Sequence, residues 1–521
     1  MCLHARACPA SLGRCSRGLA TLLGLVLWLG ILYGCASAAP EPRLPSRGLA
    51  DTQETRLARA GTAIVRSLGV LSGQGLSAIH LLPHGLEALE ARRALIERAE
   101  RSLDLQYYIW RPDASGSGLA VALWDAAERG VRIRLLLDDW GARPSEEELG
   151  LLAAHPNVEV RLFNPLALRW SLPLALAFDF DRGNRRMHNK LLVADNQALI
   201  VGGRNIGDEY FERRSELQFG DLDVLALGPV VRQASAGFDR YWNHSEVRRV
   251  TARERRELTA AGERAERLWA ATRATGWASS CDSGRLTFLP VRATAVQDDP
   301  GKSGGENLSD REANLGREIA SLAGRVNSDV LLVSPYFVPG DGGVAQLRAL
   351  REAGVRVHVV TNSLAATDVP AVHAGYERYR RPLLEAGVEL YEVRVDALLP
   401  RRAATIRAVG SSRVSLHAKL IVVDHRSTFV GSMNIDPRSL RLNTENGIVL
   451  DSAALAAELS TGVDNQLAAS AYRVELSQGR LRWTSSEPDG RTVHHDTEPQ
   501  AGWWLRLQTT LMGWLPIEEL L

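Results

Sequence analysis

Two stretches of the chain carry a histidine and a lysine at identical spacing. Met187–Gly203 reads MHNKLLVADNQALIVGG, and Leu416–Ser432 reads LHAKLIVVDHRSTFVGS. Each holds His-x-Lys, four residues, an aspartate, then a glycine beside another small residue, with an asparagine shortly after (Asn205 and Asn434). On an extended segment, side chains two apart face the same way. A neutral imidazole is a capable nucleophile, and a neighbouring ammonium neutralises a phosphate oxygen. The small residues let main chain approach an anion closely, and GGRN and GSMN add an amide each and the Ser432 hydroxyl. The aspartates, Asp195 and Asp424, fall where a turn is expected and suit the bracing of loop backbone. A lone His-x-Lys would be read as structure. Two copies with equal internal spacing make His188, Lys190, His417 and Lys419 candidates for phosphate chemistry.

The elements that must position them are duplicated too. AAERGVRIRLLLDD, ending at Asp139, resembles LREAGVRVHVVTN, ending at Asn362, so that Gly130 pairs with Gly354, His188 with His417 and Asn205 with Asn434. In each unit helical periodicity alternates with strand-like runs. GLEALEARRALIERAERS has apolar residues at helical spacing, LDLQYYIW alternates, and VRIRLLLDD is the apolar run of a buried strand. This predicts an α/β fold with two tandem sandwich domains. The expected boundaries are a signal-like stretch over 1–34, a linker over 35–79, domains over 80–250 and 311–475, a helical linker with a polar loop over 251–310, and a hairpin with a Trp-rich tail over 476–521. QYYIW and SPYF place Tyr108 and Tyr336 at equivalent strand ends, as pocket walls or core aromatics.

The repeated motif resembles that of the phospholipase D superfamily, H-x-K-x4-D followed by G-[GS]-x-N. RLFNP (161–165), NRRMHNK (184–190), GGRNIGDEYF (202–211), DLDVLALGPVV (221–231), GSMNIDPRSLRLNTENGIVLD (431–451) and the closing WLPIEELL are similar to the bacterial cardiolipin synthase C branch. The resemblance runs from about residue 80 onward. It implies two half-sites meeting at a pseudo-two-fold axis as one active site. One histidine attacks the phosphodiester phosphorus, giving a phosphohistidine; the other protonates the leaving alkoxide and then deprotonates the acceptor. Family habit favours His188 as nucleophile. The catalytic set implied is His188, Lys190, Asp195, His417, Lys419 and Asp424, the two aspartates weighted towards structure. Asn205, Asn434 and Ser432 would bind phosphate, and no metal or cofactor is implied. An acid should orient each histidine. Glu445, just before NGIVLD, and Asp221, before LDVLALG, are the choices, with Glu216 the rival to Asp221. The implied activity is a membrane phosphatidyltransferase making cardiolipin from phosphatidylglycerol, with phosphatidylethanolamine as another possible donor. The alternatives are a hydrolytic phospholipase D, a nucleic-acid phosphodiesterase, and an inactive tethered scaffold, against which both motifs are complete.

A net charge of +1 gives no basic field for nucleic acid, and phospholipid is the expected partner. Arg6, Arg14 and Arg17 precede an uncharged run, Leu19–Gly34. That run is shorter than the ~20 residues of a spanning helix and suits a secretory signal. It ends LYGC, similar to a lipobox, which makes Cys35 the expected lipidation site and the cell envelope the expected location; an uncleaved inner-membrane anchor is the alternative. Cleavage there would leave Cys281 as a single free thiol, without a disulfide or zinc spacing. LALRWSLPLALAFDF (166–180) reads as core or as a loop at the cleft mouth meeting acyl chains. The tail with Trp503, Trp504 and Trp514 reads as a final packed helix or as an interfacial one.

Overall fold

The strands reproduce the duplication as a mirrored order. In chain order they are β1 Ser77–Leu82, β2 Ser102–Tyr107, β3 Arg132–Asp138, β4 Val158–Phe163, β5 Leu191–Ala194, β6 Ala198–Gly202, β7 Leu217–Gly220, β8 Asp223–Leu227, β9 Val247–Arg249, β10 Leu289–Gln297, β11 Asp329–Val333, β12 Arg356–Asn362, β13 Glu389–Val393, β14 Arg413–Leu416, β15 Leu420–Val423, β16 Ser427–Gly431, β17 Asn446–Asp451, β18 Ala471–Ser477, β19 Arg480–Ser486 and β20 Thr492–His495. The computed structural model describes residues 45–69, 75–166, 169, 171–213, 217–251, 267–270, 272–282, 285–304, 315–396, 413–487, 489–515 and 518–521. Residues up to Ser46 form a unit of their own, and Arg47–Leu521 a second. The signal-like stretch, Cys35, Trp170, Glu216 and most of the charged linker helix lie outside the described residues.

In the first half the sheet runs β9-β4-β3-β2-β5-β6-β8-β1. In the second it runs β10-β17-β16-β15-β11-β12-β13-β18, and β1 pairs with β10, so one mixed sheet crosses both. The 251–310 region, read from sequence as helix and polar loop, thus contributes the strand that joins the halves. β10 was hidden by Pro290 and by the arginine and threonine of VRAT, which give it an incomplete alternation.

Local signals explain the helices behind the sheet. Asp113 accepts from Gly116 N and caps Ala114–Glu128, which ends at Gly130 with φ 90. Its counterpart Gly340–Glu352 ends at Gly354 with φ 85, the same left-handed stop. On helix Gly85–Arg98 the buried Arg92 reaches Asp223 at 2.8 Å and the Tyr107 hydroxyl at 3.2 Å, tying that helix to β8 and β2. Breaking such a buried pair typically costs about 3–5 kcal/mol. A core layer of Met187, Leu191, Val201, Leu420, Val430 and Ile448 crosses the seam, so the two half-sites share one support.

β18, β19 and β20 form a meander whose first turn is Gln478–Gly479, both at positive φ, as a two-residue hairpin turn requires. The tail continues as helix Trp503–Gly513. It buries Thr509 and lies against helix Pro370–Glu385, with its tryptophans exposed. Within the described part of 166–180 and just beyond it, Leu172–Phe178 and Phe180–Asn184 are two short helices, with Phe178 and Phe180 exposed. Among the described residues no helix is long and apolar enough to cross a membrane.

Candidate active site

Both motifs sit at hairpins of the central strands. His188 and Lys190 occupy the extended segment just before β5, and His417 and Lys419 the segment between β14 and β15. Each hairpin turns on two residues at positive φ, Asp195–Asn196 and Asp424–His425. The aspartates serve those turns. Asp195 accepts from the amides of Glu100, Arg101 and Ser102, and Asp424 from those of Asn327, Ser328 and Asp329. Each holds the entry to a central strand, β2 or β11. Both therefore bond strand-entry amides, the loop-bracing place to which their spacing pointed.

The histidines are paired with acids across the seam. His188 Nδ1 lies 2.8 Å from Glu445 Oε2, and His417 Nδ1 lies 2.5 Å from Asp221 Oδ2. The main chain does the same: His188 N donates to Thr444 O (2.9 Å) and His417 N to Gly220 O (2.8 Å), each acceptor just before the acid. β7 and β14 pair in parallel, and Met187 bridges Thr444, so each half's acid-bearing segment holds the other half's histidine. An Nδ1–H given to a carboxylate leaves Nε2 with its lone pair, the atom that would attack or exchange a proton.

Each lysine ammonium donates to the main-chain oxygen of its own histidine. The lysine charges also act across the seam, Lys419 on His188 and Lys190 on His417. Burial is the largest influence on all four groups. It pushes His188 down to about 4 and His417 down as well, against the pull of the carboxylates, so both imidazoles are neutral near pH 7. Burial likewise lowers Lys190, and Lys419 to about 8. Glu445 and Asp221 are lowered despite burial, through their pairing with the histidines and the charges of Lys190 and Lys419.

The half-sites differ in how they hold the acid. Ser432 Oγ donates to Glu445 Oε2 at 2.5 Å and accepts from Asn446 N, so this hydroxyl, expected at phosphate, braces the acid. Its counterpart Gly203 has no room for a side chain, since a Cβ there would stand 2.2 Å from Asp221 Oδ1. Asn205 Oδ1 accepts from the Ile109 amide at 3.1 Å and the Asn205 side chain also bonds the Tyr210 hydroxyl, whereas Asn434 Oδ1 is buried with no protein partner. Tyr108 stands edge-on to the His188 ring at 5.1 Å. Tyr336 instead bonds Asp368 (2.9 Å), and Tyr210 and Phe219 flank His417 at 5.2 and 5.0 Å.

Sequence reasoning missed Tyr210, Phe219, Asp298 and Asp138. Asp298 exchanges main-chain and side-chain bonds with Glu445, and Asp138 accepts from Met187 N at the end of β3. A carboxylate ending a buried strand, as in LLLDD, was the available signal for Asp138. A cavity of 590 Å³ opens beside Tyr108, lined by Arg111, Arg143 and Arg169 among others. Elsewhere His373, Glu377 and Glu498 converge, but Arg380 lies among them, 2.8 Å from His373 Nε2 and 2.6 Å from Glu498, which opposes a cation.

A duplicated α/β fold whose two His-Lys motifs close on one another defines a phospholipase D-type phosphatidyltransferase. The sequence matches the family described as cardiolipin synthase, PLD-like domain, over residues 93–242 and 320–466, and the chain belongs to that family. It is 39% identical over 453 residues to cardiolipin synthase C of Escherichia coli (strain K12), covering 84% of this chain and 95% of that protein. It is 24% identical over 439 residues to cardiolipin synthase B of the same strain, covering 84% and 90%. The crystal structure of a phosphatidylserine synthase from Haemophilus influenzae Rd KW20 superposes with a TM-score of 0.54 at 15% identity, over 80% of this chain and 92% of that one, and shares the fold.

Proposed function

We propose that the protein makes cardiolipin by transferring a phosphatidyl group from one phosphatidylglycerol to the hydroxyl of another, through a covalent phosphohistidine. The observation that carries this reading is the crossed pair of carboxylate–histidine units with a lysine behind each. The transfer needs a nucleophile and a proton carrier at one phosphorus, and the two units supply them. A phosphodiester anion between the lysines raises the proton affinity of all four basic groups, so one imidazole takes a proton as the substrate binds.

In the first step Nε2 of one histidine forms a bond to phosphorus as the P–O bond to the leaving glycerol breaks. The protonated histidine gives its proton to that oxygen. In the second, the same histidine removes the proton from the acceptor hydroxyl, whose oxygen bonds to phosphorus as the P–N bond breaks. Cardiolipin and glycerol are the products, or ethanolamine where phosphatidylethanolamine is the donor. Lys190, Lys419, Asn205 and Asn434 hold the phosphate charge, an electrostatic role of the kind that typically contributes several kcal/mol to catalysis. The name of the Escherichia coli relative supports cardiolipin as the product. The lipobox-like LYGC supports a lipoprotein anchored at Cys35 in the bacterial cell envelope, and acyl labelling that survives Cys35→Ala would refute that anchor.

The test is incubation of detergent-solubilised protein with labelled phosphatidylglycerol, with and without phosphatidylethanolamine. Cardiolipin that disappears in both His188→Ala and His417→Ala is the expected result. Phosphatidic acid as the sole product would make water the acceptor and the protein a hydrolase.

A further inference from the structure

Every exposed large apolar side chain among the described residues belongs to one of three segments: the short helices Leu172–Phe178 and Phe180–Asn184, the helix Pro437–Arg441, and the stretch from Trp503 onward. These are distant in sequence, but Arg438 joins them. Its guanidinium donates to Asn184 Oδ1 (2.8 Å), to Asn184 O and to Leu520 O, and its amide donates to Leu521 O (2.7 Å). Asn184 lies four residues before His188, and Arg438 four after Asn434. The Leu172–Asn184 helices, the Pro437–Arg441 helix and the end of the tail therefore meet beside the candidate active site, and the Trp503–Gly513 helix that leads to that end is held by Arg378, which bonds both Gly513 O and Glu518.

The last helix shows how one face is reserved. Trp503, Leu507, Leu511 and Trp514 recur at helical spacing on a single side, where Trp503 is 72% and Trp514 77% exposed. Thr509 faces the other way and is buried. Arg506, the one charged residue from Trp503 to Leu515, is half-buried rather than on that stripe. The acids that follow are matched, Glu518 by Arg378 and Glu519 by Arg441, so the surface presents apolar groups without excess charge.

We infer that this rim, from the Leu172–Asn184 helices through Arg438 to the Trp503–Leu515 face, is a bilayer-docking surface that seats the catalytic seam on phospholipid. The inference rests on the reading of the substrate as a membrane lipid. Tryptophans at both ends of the stripe with leucines between suit the headgroup–acyl boundary, into which such helices sink ~5–10 Å. A lipid substrate then passes from its leaflet to the histidines along the segment from Phe180 to His188. Water-soluble monomers rarely leave apolar area of this extent in contact with solvent.

The test uses the full chain in vesicles of phosphatidylglycerol and phosphatidylethanolamine carrying brominated acyl chains. A Trp28→Phe background removes the signal of the N-terminal apolar run. Strong quenching of tryptophan fluorescence is expected there, and loss of most of it in Trp503→Phe/Trp504→Phe/Trp514→Phe, which keeps the surface apolar. Quenching unchanged by those substitutions would overturn the proposal. Leu507→Ser/Leu511→Ser removes apolar burial worth on the order of tenfold in partitioning for each side chain. Turnover on vesicles should fall accordingly, with turnover on a short-chain phosphatidylglycerol below its micelle concentration unchanged. An equal fall on both substrates would refute the docking role, as would a dimeric parent that this variant renders monomeric, since a second copy would then cover the face. Quenching as expected, but with no transfer to any acceptor, would leave the docking surface standing and remove the assigned reaction instead.

Discussion

Replacing Glu445 by Gln and Asp221 by Asn should move opposite limbs of the pH–rate profile, and both towards lower pH. Each carboxylate stabilises the protonated form of the histidine it touches, His188 through Glu445 and His417 through Asp221. An amide of the same shape keeps the ring near its place but removes that stabilisation, so the histidine's pKa drops further. The contacts of 2.8 and 2.5 Å are buried and involve one charged partner. Hydrogen bonds to charged groups are worth about 1.5–3 kcal/mol. At 1.36 kcal/mol per unit this is a shift of roughly one to two pH units, and in the variant that moves the alkaline limb it brings a rate loss of roughly ten- to a hundredfold near neutrality. A histidine that must be neutral to attack sets the acidic limb, and one that must be protonated to release the alkoxide sets the alkaline limb. The assay is kcat for cardiolipin formation at saturating substrate from pH 4 to 9 in both variants, each compared with the parent, since kcat reports the substrate-bound histidines. The variant that moves the acidic limb identifies the nucleophile's partner, and Glu445→Gln is expected to be that one if His188 attacks. Movement of the same limb by both variants, or of neither, would refute the crossed assignment.

Gly203→Ala places a Cβ 2.2 Å from Asp221 Oδ1. The carboxylate must swing away from His417, so kcat should drop about a hundredfold, as for loss of a charged partner, with the far-ultraviolet circular dichroism unchanged; parental kcat would refute the contact. Asp195→Ala removes the acceptor of the Glu100, Arg101 and Ser102 amides, the last of them buried, and should lower stability by about 1–3 kcal/mol, read as a denaturation midpoint, with the KM of the remaining folded enzyme unchanged. The histidines also carry a pH-linked stability. Their pKa values lie below the unfolded value of about 6.5, His188 at about 4. Their contribution is therefore complete above pH 6.5 and lost as pH falls through 4, because the unfolded chain binds protons first. The melting temperature should decline over that interval, and less so in His188→Gln; an equal decline would place the linkage elsewhere.

The motif residues and the duplication were legible because they depend on local spacing, which a repeat displays twice. The identity of the two acids was legible as well, through their place before the strands LDVLALG and NGIVLD. Which histidine each acid meets was not, because that depends on how two halves more than 190 residues apart in sequence pack along β7 and β14. The same holds for Ser432: its type suggests phosphate, and only packing reveals Glu445 in the way. Asp298 was hidden inside a segment that reads as polar loop, since nothing in DDPG marks the main chain it serves. The Trp-rich tail could be read as packed or as exposed, and the helix is both: one side rests on Pro370–Glu385 and the other faces out.

The exchange of acids across the seam bears on ancestry. A single half of this chain would own a histidine whose acid belongs to another copy, so a one-domain forebear would need to be a symmetric dimer to be complete. In such a dimer both half-sites come from one gene and are bound to be identical. Joining two copies in tandem lifts that constraint. One half then became free to settle on a short acid under a glycine, Asp221 with Gly203, and the other on a longer acid under a serine, Glu445 with Ser432. The two histidines need no longer have equal basicity, and a reaction that asks one to attack while its twin carries the proton can assign those tasks permanently.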